Sequence, residues 1–351
     1  MPLVGNMRGR SSQRDGILLA VLAVAAGAAP GTAQQAPAEN VQPDLRISAE
    51  QVLLDAEVLR AKDGSPVAEL KREDFRLAEN GAAQEINYLS RDELPLSIVL
   101  MFDLTDTVRP VLKPLADGAR RVLEHLRPGD ELAVMVFSSH ADLLQDFTTD
   151  REKVVAAIEQ AAQMKSREAT FLNEDMAEAL EEAKHATLPR GRRVTLWLTD
   201  GTSNIPSEEM RKLYGKSAPP RLRTEREATE MLLHSDVTVA ALIERSALSD
   251  VGLAAKYTTV LTPVLQHAWP PGDIKKYAEL TGGPVMTSSG RETADRLAAL
   301  LDEIRVRYTL GYRPSTPQPA GTYCKISLTV VPGADAPKEK LRVRTRKGYY
   351  R

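Results

Sequence analysis

Asp103, Thr105, Asp106 and Thr107 place four oxygen-bearing side chains within five positions, directly after an apolar run, in the stretch SIVLMFDLTDTVRP at residues 97 to 110. Three chemistries compete for such a cluster: an all-oxygen cation site, a phosphoryl-transfer aspartate, or a turn that caps the next helix. A second oxygen group, Thr199-Asp200-Gly201, ends the apolar stretch VTLWL, and Thr170 stands just before a helical stretch over residues 172 to 183. In open α/β sheets, ligands bind where the carboxyl ends of strands and their loops converge. If the two apolar stretches are neighbouring strands, Asp103, Thr105, Thr107, Thr170 and Asp200 meet at one point. Carboxylate and hydroxyl oxygens together suit a hard divalent ion, Mg²⁺ or Mn²⁺. Because most of these donors are neutral hydroxyls, the ion would keep much of its positive charge. An open coordination position could then accept a carboxylate from another molecule.

Each feature also has an ordinary explanation. Asp and Thr are preferred at helix N-caps and turns, and Asp200-Gly201 has the composition of a plain turn. What raises the set above capping is its joint occurrence at two strand ends and one helix start. A metal-dependent phosphatase of the haloacid-dehalogenase type would need a second aspartate two residues after Asp103, where this chain has Thr105. No G-x-S-x-G elbow or glycine-rich phosphate loop occurs. The five histidines, at 125, 140, 185, 234 and 267, lack metal-ligand spacing. These absences point to a binding protein, not an enzyme.

The elements that must position these residues follow from periodicity. Residues 96 to 102 are continuously apolar apart from Ser97, as in a strand covered on both faces of a parallel sheet. Strands are predicted at 131 to 137, 193 to 199 and 237 to 243. Helices are predicted after each, including one from about Asp150 with Thr149 and Glu152 as a capping box. This alternation predicts a doubly wound, mostly parallel α/β domain. On either side the period changes to two. Residues 44 to 93 contain Val52, Leu54, Ala56 and Val58, with Asn80-Gly81 as a hairpin turn. Residues 306 to 351 contain Tyr308, Leu310 and Tyr312, then Cys324, Ile326 and Leu328. Each β segment is too short to bury a core well, so the two are predicted to pair into one small antiparallel module. Residues 245 to 272 read as a long insertion, in which Trp269 is a candidate staple or partner contact.

The chain of 351 residues has a formal net charge of −2, with 42% hydrophobic and 27% charged residues. That composition is globular and gives no electrostatic case for nucleic acid. Arg8, Arg10 and Arg14, the apolar run at 17 to 29 and the small residues Gly31-Thr32-Ala33 read as a secretory signal peptide over 1 to 33. Its apolar run is shorter than the roughly 20 residues needed to span a bilayer. Residues 34 to 43 then form a linker, and the mature chain has no membrane span. The single cysteine, Cys324, cannot form an internal disulfide. The expected location is the periplasm or the external medium.

The motif set resembles the metal-ion-dependent adhesion site of the von Willebrand factor A domain: Asp-x-Ser-x-Ser, a distant Thr, and a distant Asp followed by Gly. Asp103, Thr105 and Thr107 match the first part, Thr170 the second, and Asp200 with Gly201 the third. The flanks PLSIVLMFD, RRVTLWLTDG and YAELTGG extend the likeness over residues 95 to 305, and DGSPVAELKREDFRLAENG and YTLGYRP resemble the flanks of exported bacterial members. The resemblance implies an α/β domain that holds Mg²⁺ or Mn²⁺ and engages an acidic side chain of a protein partner. The chain departs from the pattern in three places. Threonine replaces both serines, Asp106 stands where glycine is usual, and SREAT replaces a glycine-rich approach to Thr170. These departures leave a metal-free scaffold with a degenerate site as the alternative.

Overall fold

The computed structural model describes residues 51–91, 94–165, 170–201, 223–245, 273–331 and 340–351. The signal-peptide and linker readings, the approach to Thr170 at 166–169, and nearly all of the predicted insertion with Trp269 lie outside the described residues.

A six-stranded sheet in the order β10-β9-β8-β5-β6-β7 forms the centre. Its strands are β5 (Leu96–Asp103), β6 (Glu131–Phe137), β7 (Ala141–Thr148), β8 (Arg192–Thr199), β9 (Thr238–Glu244) and β10 (Val285–Ser288). All pairs are parallel except β6 with β7. β5 is buried along its whole length between β8 and β6. This central position is why its sequence is an apolar run without alternation. One face of the sheet packs on α1 (Arg109–Leu123), α2 (Arg151–Gln163) and α6 (Thr293–Arg305). The other packs on α3 (Leu172–Ala183), α4 (Glu225–His234) and α5 (Ile274–Thr281).

Local chemistry sets the helix starts. Thr224 and Glu227 form a reciprocal capping box on α4. At α2 the expected Thr149 cap is replaced by Asp150, whose side chain accepts from the N–H groups of Glu152 and Lys153. A carboxylate one position later reaches the same orphan donors and adds a favourable charge at the helix N-terminus. The edge strand β7 went unpredicted because none of its residues is buried and its polar and apolar residues do not alternate.

The flanking segments form two antiparallel four-stranded sheets, β13-β1-β11-β4 and β14-β12-β2-β3. The first contains β1 (Val52–Arg60), β4 (Ile86–Arg91), β11 (Tyr308–Tyr312) and β13 (Leu341–Thr345). The second contains β2 (Phe75–Glu79), β3 (Ala82–Gln84), β12 (Tyr323–Val330) and β14 (Gly348–Tyr350). Each sheet mixes strands from both flanks, as in Leu54↔Leu310 and Leu77↔Leu328. They share one core that includes Leu54, Val58, Phe75, Leu310, Tyr312 and Ile326. The Asn80-Gly81 turn joins β2 to β3, with both residues at positive φ, 51° and 85°. The molecule is thus α/β with an antiparallel β module built from the strands of both flanks, as the periodicity predicts. Among the described residues no helix is long and apolar enough to cross a membrane.

A charged cluster joins the two parts. Arg344 donates to Glu57 in β1 at 2.8 Å and to Glu303 in α6 at 2.6 Å. Burial pushes the Glu57 carboxyl from its ordinary 4.5 up to about 7, against the pull of Arg307 and Arg344. The folded chain therefore holds this proton over a range in which the unfolded chain has lost it. The resulting stabilisation is complete below about pH 4.5 and disappears as pH rises through about 7. Thermal melts between pH 5 and 8 should show a falling midpoint that Glu57→Gln makes shallower without abolishing it, since Asp103 titrates in the same range, with a gain of up to about 3 kcal/mol for the variant at pH 8. An identical pH slope in the variant would show that Glu57 is not the responsible group.

Candidate metal centre

Asp103 is the last residue of β5 and is fully buried. Its Oδ1 accepts the Thr105 N–H at 2.9 Å, which turns the chain sharply after the strand. The backbone oxygen of Thr105 then accepts from the N–H groups of Val108 and Arg109 as α1 begins. Thr105 and Thr107 lie two residues apart on this turn, with their hydroxyl oxygens 3.0 Å from each other. The Thr107 hydroxyl donates to Asp200 Oδ2 at 2.5 Å. Asp200 follows β8, the immediate neighbour of β5. Four of the five expected residues therefore form one hydrogen-bonded set, Asp103–Thr105–Thr107–Asp200, across two strand ends.

Thr170, the fifth, is 1% exposed and directly precedes Phe171, whose N–H donates to the carbonyl of Ser138 at 3.0 Å. Ser138 follows β6, and β6 pairs with β5 up to Asp103↔Phe137. Thr170 accordingly sits on the same rim of the sheet. Asp106, by contrast, is exposed, so the residue that departs from the family's glycine stands outside the hydrogen-bonded set.

Thr199 was not among the expected site residues. Its hydroxyl donates to Asp103 Oδ2 at 2.9 Å and accepts the Gly201 N–H at 3.0 Å. It orients Asp103 and the turn that carries Asp200 at once. That turn needs φ of +76° at residue 201, a conformation glycine adopts without a Cβ clash. The only sequence signal for Thr199 was its place in the Thr-Asp-Gly strand end. Its role depends on β5 lying beside β8.

The electrostatics are those of a concentrated negative site. Burial, and after it the charge of Asp200, pushes the Asp103 carboxyl up to about 7, although hydrogen bonds from Thr105 and Thr199 favour its charged form. In α3, the Asp175 carboxyl is raised well above the ordinary range by burial, then by Glu178, Asp103 and Glu174. A bound dication would relieve both effects, since it pairs with charges that the protein otherwise crowds together. Among the described residues no three or more His, Cys, Asp or Glu side chains form a ready-made cage. An ion here would depend on the threonine hydroxyls as well as the carboxylates. This donor set, two carboxylates and neutral hydroxyls, fits a hard cation such as Mg²⁺ or Mn²⁺.

Residues 98–202 match the family model of the von Willebrand factor type A domain, a span that contains Asp103, Thr105, Thr107, Thr170 and Asp200. No curated protein matches the chain. Among solved structures, a von Willebrand factor type A protein from Catenulispora acidiphila aligns at 11% identity over 87% of this chain and 76% of its own, with a TM-score of 0.41. The conserved hypothetical protein BatB from Bacteroides thetaiotaomicron aligns at 14% identity over 60% of this chain and 97% of its own, with a TM-score of 0.37. Proximal thread matrix protein 1 from the mussel byssus, with a zinc-occupied MIDAS motif, aligns at 16% identity over 62% of this chain and 50% of its own, with a TM-score of 0.39.

Proposed function

We propose that this chain, whose residues 98–202 match the von Willebrand factor type A domain, is an exported, non-enzymatic binding protein. Its strand-end site holds Mg²⁺ or Mn²⁺ and engages an acidic group of a partner protein. The observation that carries this reading is the Asp103–Thr105–Thr107–Asp200 set, in which two carboxylates and two hydroxyls from separate strand ends adjoin one another. Asp103, Thr105 and Thr107 would contact the ion, and Thr170 and Asp200 would do so directly or through water. The bound ion would supply a Lewis-acidic position for an incoming carboxylate. In the same reading residues 1 to 33 are a signal peptide and 34 to 43 a linker, and 95–305 is the binding domain. Segments 44–93 and 306–351 form the flanking module, and the destination is the periplasm or the medium.

One observation favours the metal-free scaffold as a second reading. Both oxygens of Asp103 already accept hydrogen bonds, and Thr107 already satisfies Asp200 Oδ2, so the set is internally satisfied as it stands. Melting the protein with Mg²⁺ and with chelator separates the two. An ion that binds only the folded state raises the midpoint, by about 2.7 kcal/mol of added stability at a concentration 100 times its Kd. Equal midpoints up to millimolar Mg²⁺ and Mn²⁺ would favour the scaffold. The phosphatase reading has little support, because a fully buried Asp103 with both oxygens engaged is poorly placed to attack a phosphorus atom.

A further inference from the structure

Asp175 lies in the first turn of α3 and is 0% exposed, yet among the described residues neither of its carboxylate oxygens has a hydrogen-bond partner at close geometry; the nearby Phe171 backbone N–H, which already donates to Ser138 O, favours its charged form only weakly against the burial. Its neighbour Glu174 shows the usual solution, an ion pair with Arg223 that also accepts the Arg223 N–H. The charges that act most strongly on Asp175 are those of Glu178, Asp103 and Glu174, all of the same sign. A buried carboxylate without a partner is among the costlier features a fold can carry. The partial positive charge of a helix N-terminus offsets only a small part of that cost.

The position of Asp175 is fixed by the same contacts that build the strand-end site. Its N–H and that of Glu174 donate to Phe171 O at 3.0 and 2.8 Å, the Phe171 N–H holds Ser138 O, and Leu104 N–H donates to Phe137 O at 3.0 Å. Ser138 is a second such group: its hydroxyl is fully buried and has no hydrogen-bond partner among the described residues. Two polar groups without close partners among the described residues therefore lie on elements tied to the strand end that carries Asp103. Unsatisfied buried groups in a native protein call for a specific counterpart, such as an ion or a water held by one.

We infer that Asp175 is the anionic floor of the cation centre, a carboxylate that the fold leaves unpartnered so that its charge is met by the ion held at Asp103. The inference rests on the metal-binding reading proposed above. Because no three-carboxylate cage is formed among the described residues, Asp175 is a positioning residue. It acts on the ion by its charge and through the groups between them, not as one of the direct donors. It makes ion binding tighter at the expense of the metal-free fold.

The test is a titration of the full chain with Mn²⁺, reading free Mn²⁺ by electron paramagnetic resonance, together with melting in chelator. Asp175→Asn should weaken Mn²⁺ binding by about tenfold or more while melting in chelator at or above the wild-type midpoint. Wild-type Mn²⁺ affinity in that variant would overturn the inference and leave the metal-binding reading intact. A lower midpoint in chelator, or failure to fold, would overturn it too, since either would make Asp175 a structural asset. No Mn²⁺ binding by the wild-type chain would instead remove the underlying reading, and this inference with it.

Discussion

Asp103→Ala should abolish Mg²⁺ and Mn²⁺ binding in calorimetry, where the wild-type chain should bind in the range of about 10⁻⁶ to 10⁻³ M expected of a site with few carboxylate donors. Asp103 is bonded to both halves of the site, through Thr105 N–H on its own loop and Thr199 Oγ1 on β8. Its removal takes away a negative charge and also frees the two groups that set the loop geometry. The stability of the metal-free protein should move in the opposite direction at alkaline pH. Burial and Asp200 raise the Asp103 carboxyl to about 7, so above that pH the ionised group is a cost to the folded state that no cation offsets. Alanine removes the cost, and the variant should lose less stability than wild type between pH 6 and 8 in chelator. Asp106→Ala is the control. Its exposed position predicts unchanged affinity, and loss of binding there with retention in Asp103→Ala would refute the assignment of the centre.

Trp197→Ala should destabilise the protein by about 3–5 kcal/mol, the range for deleting a large aromatic from a packed core. Trp197 is fully buried in the middle of β8. Its ring meets Phe137 edge to face at a centroid distance of 4.8 Å and an interplanar angle of 67°, and its Nε1–H donates to Thr195 Oγ1 at 3.0 Å. It shares the α3/α4/α5 face of the sheet with Leu172, Met176 and Tyr277. Alanine leaves a void that these close-packed neighbours cannot fill and removes the donor bonded to Thr195. Denaturant melts should show the loss as a lower midpoint at an unchanged slope. A change below about 1 kcal/mol would mean that the core collapses around the gap far better than this packing allows.

The architecture was legible because burial imposes local periods. β5 had to read as an apolar run, since it is covered on both faces. β12 had to alternate, since it is covered on one, and its burial pattern does alternate strictly from Tyr323 to Thr329. Asn80-Gly81 announced its turn because positive φ restricts residue choice at the site itself. Elements with weaker periods were missed. β7 has no buried residue to set a period, and β14 has three residues, too few to establish any period.

The sequence by itself determined the α/β class, the antiparallel flanks and the type and spacing of the candidate donors Asp103, Thr105, Thr107, Thr170 and Asp200. Each of these is written in residues close to one another along the chain or in a motif of fixed order. Only the tertiary structure decided that β8 lies beside β5, which lets Thr107 reach Asp200 and makes Thr199 a partner of Asp103. Only it decided, too, that Asp106 is exposed while Asp175 is enclosed among like charges. The physical reason is that a side chain's charge state and partners depend on what surrounds it in space. Part of those surroundings is local, as with Thr105 beside Asp103, but the decisive part comes from distant residues such as Thr199 and Asp200, which no local pattern encodes.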